Sequence, residues 1–108
     1  EKLPETIAKN LQKQKKYKSK TVGILGLTFK PDSDDVRGSL SLKLLNILKK
    51  KGFNCLYSDP YIKLEGNISK KKLLNKSDII IIGTNHKQYK KLKITKKKII
   101  IDLSGYLK

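Results

Sequence analysis

At 108 residues the chain has room for one domain with a real core but not for two, and with no run of 18 apolar residues and no secretory signal pattern it is expected to be cytoplasmic, without a membrane span. One cysteine, Cys55, and one histidine, His86, exclude an internal disulfide and a conventional zinc cluster, so no metal is expected. The net charge of +17 comes from 26 basic residues, all lysine except Arg37, spread along the whole chain.

Residues 4 to 16 open with Pro4 and space Leu3, Ile7 and Leu11 four apart, which predicts a helix starting near Pro4. The lysine-rich stretch 13 to 20 ends it. Thr21 to Leu27 is the first predicted strand. Ser39 can cap the next helix, whose apolar stripe is Leu40, Leu44, Ile47 and Leu48 and which Gly52 ends. A second strand, Phe53 to Ser58, stops at Asp59-Pro60, and a short helix over Ile68, Leu73 and Leu74 runs to about Lys76. Asp78 to Gly83, with four consecutive isoleucines, is the third strand, and Lys98 to Asp102 the fourth. Between them Thr84 or Asn85 can cap a short helix over His86 to Lys91.

The third and fourth strands are unbroken apolar runs, the pattern of strands covered on both faces of a parallel sheet. Alternation with helices predicts an α/β fold: a three-layer α/β/α sandwich with a mostly parallel, Rossmann-like sheet of four to five strands.

The loop from Leu27 to Ser39 carries the chemistry. A simple turn has no use for Lys30 and Arg37, and loops at the carboxyl ends of parallel strands are where such sheets bind ligands. Gly23 and Gly26 do not form a G-x-G-x-x-G fingerprint, so this domain is not expected to hold a dinucleotide by its own first crossover. Lys30, as a point charge, suits an anion. Asp32, Asp34 and Asp35 are read as loop structure holding Arg37, Lys30 and local amides, and Asp59-Pro60 as a turn. Cys55 is expected to be an inert strand residue and His86 a capping or surface residue.

The run GLTFKPDSDDVRGS resembles the signature of the UDP-glucose/GDP-mannose dehydrogenase family in its C-terminal, UDP-binding domain. Gly26, Leu27, Phe29, Lys30, Asp34, Asp35 and Arg37 stand in that pattern, with Ser33 at the usual Thr/Ser position. YSDPY (57 to 61) is similar to the family's strand-ending element, and GTNHKQYKKL (83 to 92) to its segment after the third strand.

The resemblance implies an enzyme that uses NAD to oxidise the C6 alcohol of a nucleotide sugar to a carboxylate for polysaccharide precursors, through a thiohemiacetal and a thioester on a cysteine. It implies that Phe29 and Lys30 bind the UDP-sugar and that Arg37 reaches toward the cofactor. It also implies three parts: a dinucleotide domain that mainly holds NAD, a central helical region that builds a homodimer, and this domain. Residues 1–19 are then a helix and linker from the central region, and 20–108 the UDP-sugar-binding domain. The fragment is expected to be inactive alone, because the dinucleotide domain and the cysteine motif are absent and Cys55 is not in the nucleophile position. Gly38 departs from the family's larger residue, and IDLSGYLK lacks its arginine after the last strand. The resemblance further implies an N-acetylhexosamine substrate from the segment containing His86, where glucose-specific relatives more often have tryptophan.

The alternative function is a basic α/β module that binds nucleic acid non-specifically. Specific recognition is not expected, because readers of bases and phosphates favour arginine over dispersed lysine. A response-regulator receiver is excluded, because the third strand ends in Gly83 rather than an aspartate.

Overall fold

The computed structural model describes residues 3–17, 19–62, 65–90, 92, 94 and 97–103. Helix α1 (Leu3–Lys13) leads through a 3-10 turn (Lys15–Tyr17) to β1 (Thr21–Leu25), α2 (Leu40–Lys50), β2 (Asn54–Ser58), α3 (Lys70–Lys76), β3 (Ile79–Ile82), a second 3-10 turn (Lys87–Tyr89) and β4 (Ile99–Asp102). The four strands are all parallel, in the order β2-β1-β3-β4. Helices α1 and α2 cover one face and α3 with the second 3-10 turn the other, which gives the expected three layers. Ala8 and Leu11 of α1 are buried in the same core as Leu44, Leu45 and Leu48 of α2.

The four isoleucines of β3 are there because both faces need apolar cover. Ile79 and Ile81 pack with the α2 layer, Ile80 and Ile82 with Leu73 and Tyr89, and all four are fully buried. The same expectation fails for β4. It is an edge strand, and Ile100 is 41% exposed on the face of Ile80, because α3 lies over β1 and β2. An apolar run alone does not distinguish a central strand from an outer one.

Helix α2 starts where Ser39 predicts, with Ser39 accepting from the Leu42 N–H. Helix α3 starts at Lys70, two residues after the expected Ile68, where Ser69 accepts from the Lys72 N–H. β1 stops two residues early, at Leu25, as Gly26 turns the chain out at φ +89°. The first helix ends at Lys13, where the lysine-rich stretch begins. After β3 the structure forms only a 3-10 turn with His86 in the capping position and no side-chain cap; Lys91, at the end of the predicted helix, lies outside the described residues.

Gly83 lets the start of α2 press against the end of the sheet. A Cβ built there would lie 2.3 Å from the Ser41 Cβ and 2.6 Å from the Gly26 carbonyl oxygen. Neither neighbour can move without shifting backbone. Gly83→Ala is therefore expected to cost about 1–3 kcal/mol, the range for overpacking. A urea midpoint equal to wild type would contradict that packing.

Candidate functional site

Leu25 of β1 is level with Ser58 of β2 and Ile82 of β3, so the loops that leave these three strands meet at one rim. The chain leaves β1 towards β2 and β3 towards β4, so β1 and β3 flank the topological switch point, where open α/β sheets leave a crevice. Thr28, Phe29, Leu40, Gly83, Thr84, Asn85 and Leu103 line a crevice of about 190 Å³ there.

The loop after β1 is pinned along its length. Gly26 N–H donates to the Ser58 carbonyl at 2.9 Å, and Leu27 N–H to Asp59 Oδ2 at 2.7 Å. The Thr84 hydroxyl donates to the Thr28 carbonyl at 2.7 Å, and the Thr28 hydroxyl donates to the Lys30 carbonyl at 2.8 Å. Phe29 N–H closes the base of the loop on the Asp35 carbonyl at 2.7 Å. Asp32, in the left-handed region at φ 56°, donates its N–H to His86 Nδ1 at 2.8 Å, while its Oδ1 accepts from Lys87 N–H at 2.8 Å. The backbone is fixed on both sides of Lys30, whose side chain is left exposed.

His86 corrects the expectation of a capping or surface residue. It is fully buried, with its ring 4.8 Å from Tyr61 and 5.6 Å from Tyr89, centroid to centroid. Nδ1 accepts from a backbone amide, so the ring proton sits on Nε2 and is donated to Asp59 Oδ2 at 2.9 Å. Thr28 Oγ1, its own proton committed to Lys30, lies 3.2 Å from the same Nε2.

Asp59 does make the expected turn, accepting from Tyr61 N–H at 2.8 Å, but it is also buried, 2% exposed, and anchors the first loop. Burial alone would raise its carboxyl. The hydrogen bonds from His86 and from the Leu27 and Tyr61 amides outweigh that and hold it below the usual carboxylate range. Two sequence signals touch this pair: Asp59 and His86 follow the ends of the two strands that flank β1, and both lie in segments that resemble the family's elements.

The three residues singled out as ligand contacts lie on this one loop. Phe29 is 57% exposed, with its ring close to Gly38, which adopts φ +72°, a conformation that favours glycine over a residue with a side chain. Lys30 makes no ion pair among the described residues. Arg37, its side chain 90% exposed, forms a two-pronged pair with Asp35, Nε to Oδ1 and a terminal nitrogen to Oδ2, both 3.0 Å. Hydrogen bonds from Arg37, above all from its side chain, hold the Asp35 carboxyl at about 2, and both Arg37 and Lys30 add electrostatic attraction. The two cations thus share the neighbourhood of one carboxylate. The missing C-terminal arginine concerns residues 104–108, outside the described residues.

Cys55 sits half-buried in β2, where burial pushes its thiol up to about 11. It is expected to alkylate far more slowly at pH 8 than a free cysteine, and modification at the free rate would contradict its burial. No cluster of metal-binding side chains occurs among the described residues, and none of their helices is long and apolar enough to cross a membrane.

Residues 23–108 match the UDP-glucose/GDP-mannose dehydrogenase family, UDP binding domain. The chain belongs to that family. It is 31% identical over 93 residues to the UDP-N-acetyl-D-mannosamine dehydrogenase of Pyrococcus horikoshii, covering 81% of this chain and 22% of the relative. With the UDP-glucose 6-dehydrogenase of Rickettsia prowazekii it shares 34% identity over 108 residues, 83% of this chain and 25% of the relative. Its fold matches a solved structure of UDP-D-ManNAc dehydrogenase from Pyrococcus horikoshii with a TM-score of 0.82 and 27% identity, over 99% of this chain and 28% of that one. The chain therefore spans about a quarter of the length of these dehydrogenases. These relatives lend no support to the nucleic-acid alternative.

Proposed function

We propose that this chain is the nucleotide-sugar-binding part of an NAD-dependent dehydrogenase that oxidises the C6 alcohol of a UDP-sugar to a carboxylate for polysaccharide precursors. The observation that carries this reading is the pinned loop at the switch point, which presents Phe29 and Lys30 to solvent from fixed backbone. An ammonium held in place beside a cleft can stabilise the phosphate and developing oxyanion charge of such a substrate. The exposed ring of Phe29 offers an apolar face beside it.

A crevice of about 190 Å³ cannot enclose a nucleotide sugar; ligand pockets run to about 300–1,000 Å³. This chain supplies one wall and the rest of the dehydrogenase the other, with residues 1–19 coming from the central region and the complete enzyme a homodimer. Arg37 is the contact this chain offers to NAD, its guanidinium suiting a pyrophosphate once released from Asp35. That exposed pair is cheap to exchange. The remaining contacts to NAD, which accepts the hydride when bound, fall to the dinucleotide domain of the complete enzyme, and turnover requires that domain with this one.

A UDP-N-acetylhexosamine is the sugar we assign. His86, being fully buried, influences that choice through the shape of its segment rather than by touching the sugar. Assays of NADH formation by the complete enzyme on UDP-glucose and on UDP-N-acetylhexosamines test both parts. Preference for the N-acetylated sugars is expected. Preference for UDP-glucose would overturn the sugar assignment, and oxidation of neither the reaction.

A further inference from the structure

We propose that His86 is a positioning residue: as the Nε2–H tautomer it ties Asp32 to Asp59 and so fixes the loop that presents Lys30. This rests on the proposed reading of Lys30 as a ligand contact. The hydrogen bonds run in one direction. Asp32 N–H donates to Nδ1, and Nε2–H donates onward to Asp59 Oδ2, which also takes the Leu27 N–H. A backbone amide cannot accept, so the other tautomer would set two protons against each other between the ring and Asp32.

The segment from Leu27 to Asp32 is thereby held at both ends by one buried pair, with Lys30 between them. Asp32 needs such a hold. Its φ of 56° is uncommon for a residue with a side chain, and its carboxylate accepts from Lys87 N–H only while the loop stays folded onto the 3-10 turn. The Lys30 side chain makes no hydrogen bond or ion pair among the described residues, only a longer-range attraction to Asp35, so its placement depends on these backbone anchors.

The consequence is a population effect. If the clamp opens, only a fraction of molecules present Lys30 correctly, and the apparent affinity falls by that fraction. Glutamine can stand in for the ring, its oxygen accepting from Asp32 and its nitrogen donating to Asp59, whereas leucine fills similar space and does neither.

The test uses this chain with UDP as the probe. In the wild type, ¹⁵N spectra should place the ring proton of His86 on Nε2, and the Asp32 amide should exchange slowly with solvent although it lies in an exposed loop. His86→Gln should retain that protection and the affinity for UDP. His86→Leu should lose the protection and bind UDP at least about tenfold more weakly, while the amides of Ile79 to Ile82 exchange as before.

A proton on Nδ1, or an unprotected Asp32 amide in the wild type, would overturn the proposal even if no variant folds. So would wild-type UDP affinity in a folded His86→Leu. Absence of UDP binding by the wild type, with tautomer and protection as described, would uphold the clamp and defeat the reading of the loop as a ligand site.

Discussion

Asp59→Ala is expected to lower the unfolding free energy by about 3–5 kcal/mol, the cost of removing one partner from a buried polar pair. Three donors lose their acceptor at once: the Leu27 and Tyr61 amides and the His86 ring. Each buried donor left unmatched costs about 1–3 kcal/mol, reduced where water can enter the space. Against a total of about 5–15 kcal/mol for a domain of ordinary stability, this is the largest single-site loss the structure predicts. The urea midpoint reads it directly; a midpoint near wild type would mean that the pair is not a keystone.

The same carboxylate gives a pH dependence whose sign is fixed. The Asp59 carboxyl is held below its ordinary value, so the folded chain binds fewer protons than the unfolded one. Its stabilisation is complete above the unfolded carboxylate value of about 3.9 and is lost as pH falls through the lower folded value. Asp59→Asn should flatten the acid side of the stability curve; an unchanged acid limb would contradict the assignment. Asp35 is also depressed, but its pair with Arg37 is exposed and adds little to this curve.

The second large effect is on activity. In the complete dehydrogenase, Lys30→Ala is expected to reduce kcat/KM for the UDP-sugar by about 10²–10³-fold, the scale for losing one fixed electrostatic contact to developing charge. The fold should be untouched, because the side chain is exposed and substitutions at such positions usually fall within about 0.5 kcal/mol. Arg37→Ala should instead raise KM for NAD. Wild-type kinetics for Lys30→Ala would remove Lys30 from the site; a matching fall in thermal stability would reclassify it as structural.

What was legible in the sequence follows from which interactions are local. Ser39 marks a helix start because a cap bonds three residues on, and the isoleucines of β3 mark a central strand because both faces need cover. Lys30 and Arg37 stand out because a simple turn has no use for two cations, but their separate roles and that of Phe29 rest on a resemblance, since one sequence does not show which charge meets a ligand. His86 and Asp59 were misjudged in importance. The bonds between them and to Leu27 and Asp32 span 27 to 54 residues and form only once the parallel register brings three strand ends level. A helix-start histidine and an Asp-Pro turn look local, and that local reading hid the pair that ties the rim together. The exposure of Ile100 was hidden similarly, because strand order is a property of the whole sheet.

The most direct measurement is a titration of this chain with a UDP-sugar at physiological salt, followed by amide chemical shifts. Saturable changes confined to Phe29, Lys30, Asp32 and Arg37 and to the neighbouring Thr84 and Asn85 are expected. Shifts scattered over the lysines of α2 and α3 and abolished by added salt, or no shifts on the loop after β1, would contradict a nucleotide-sugar site at this rim.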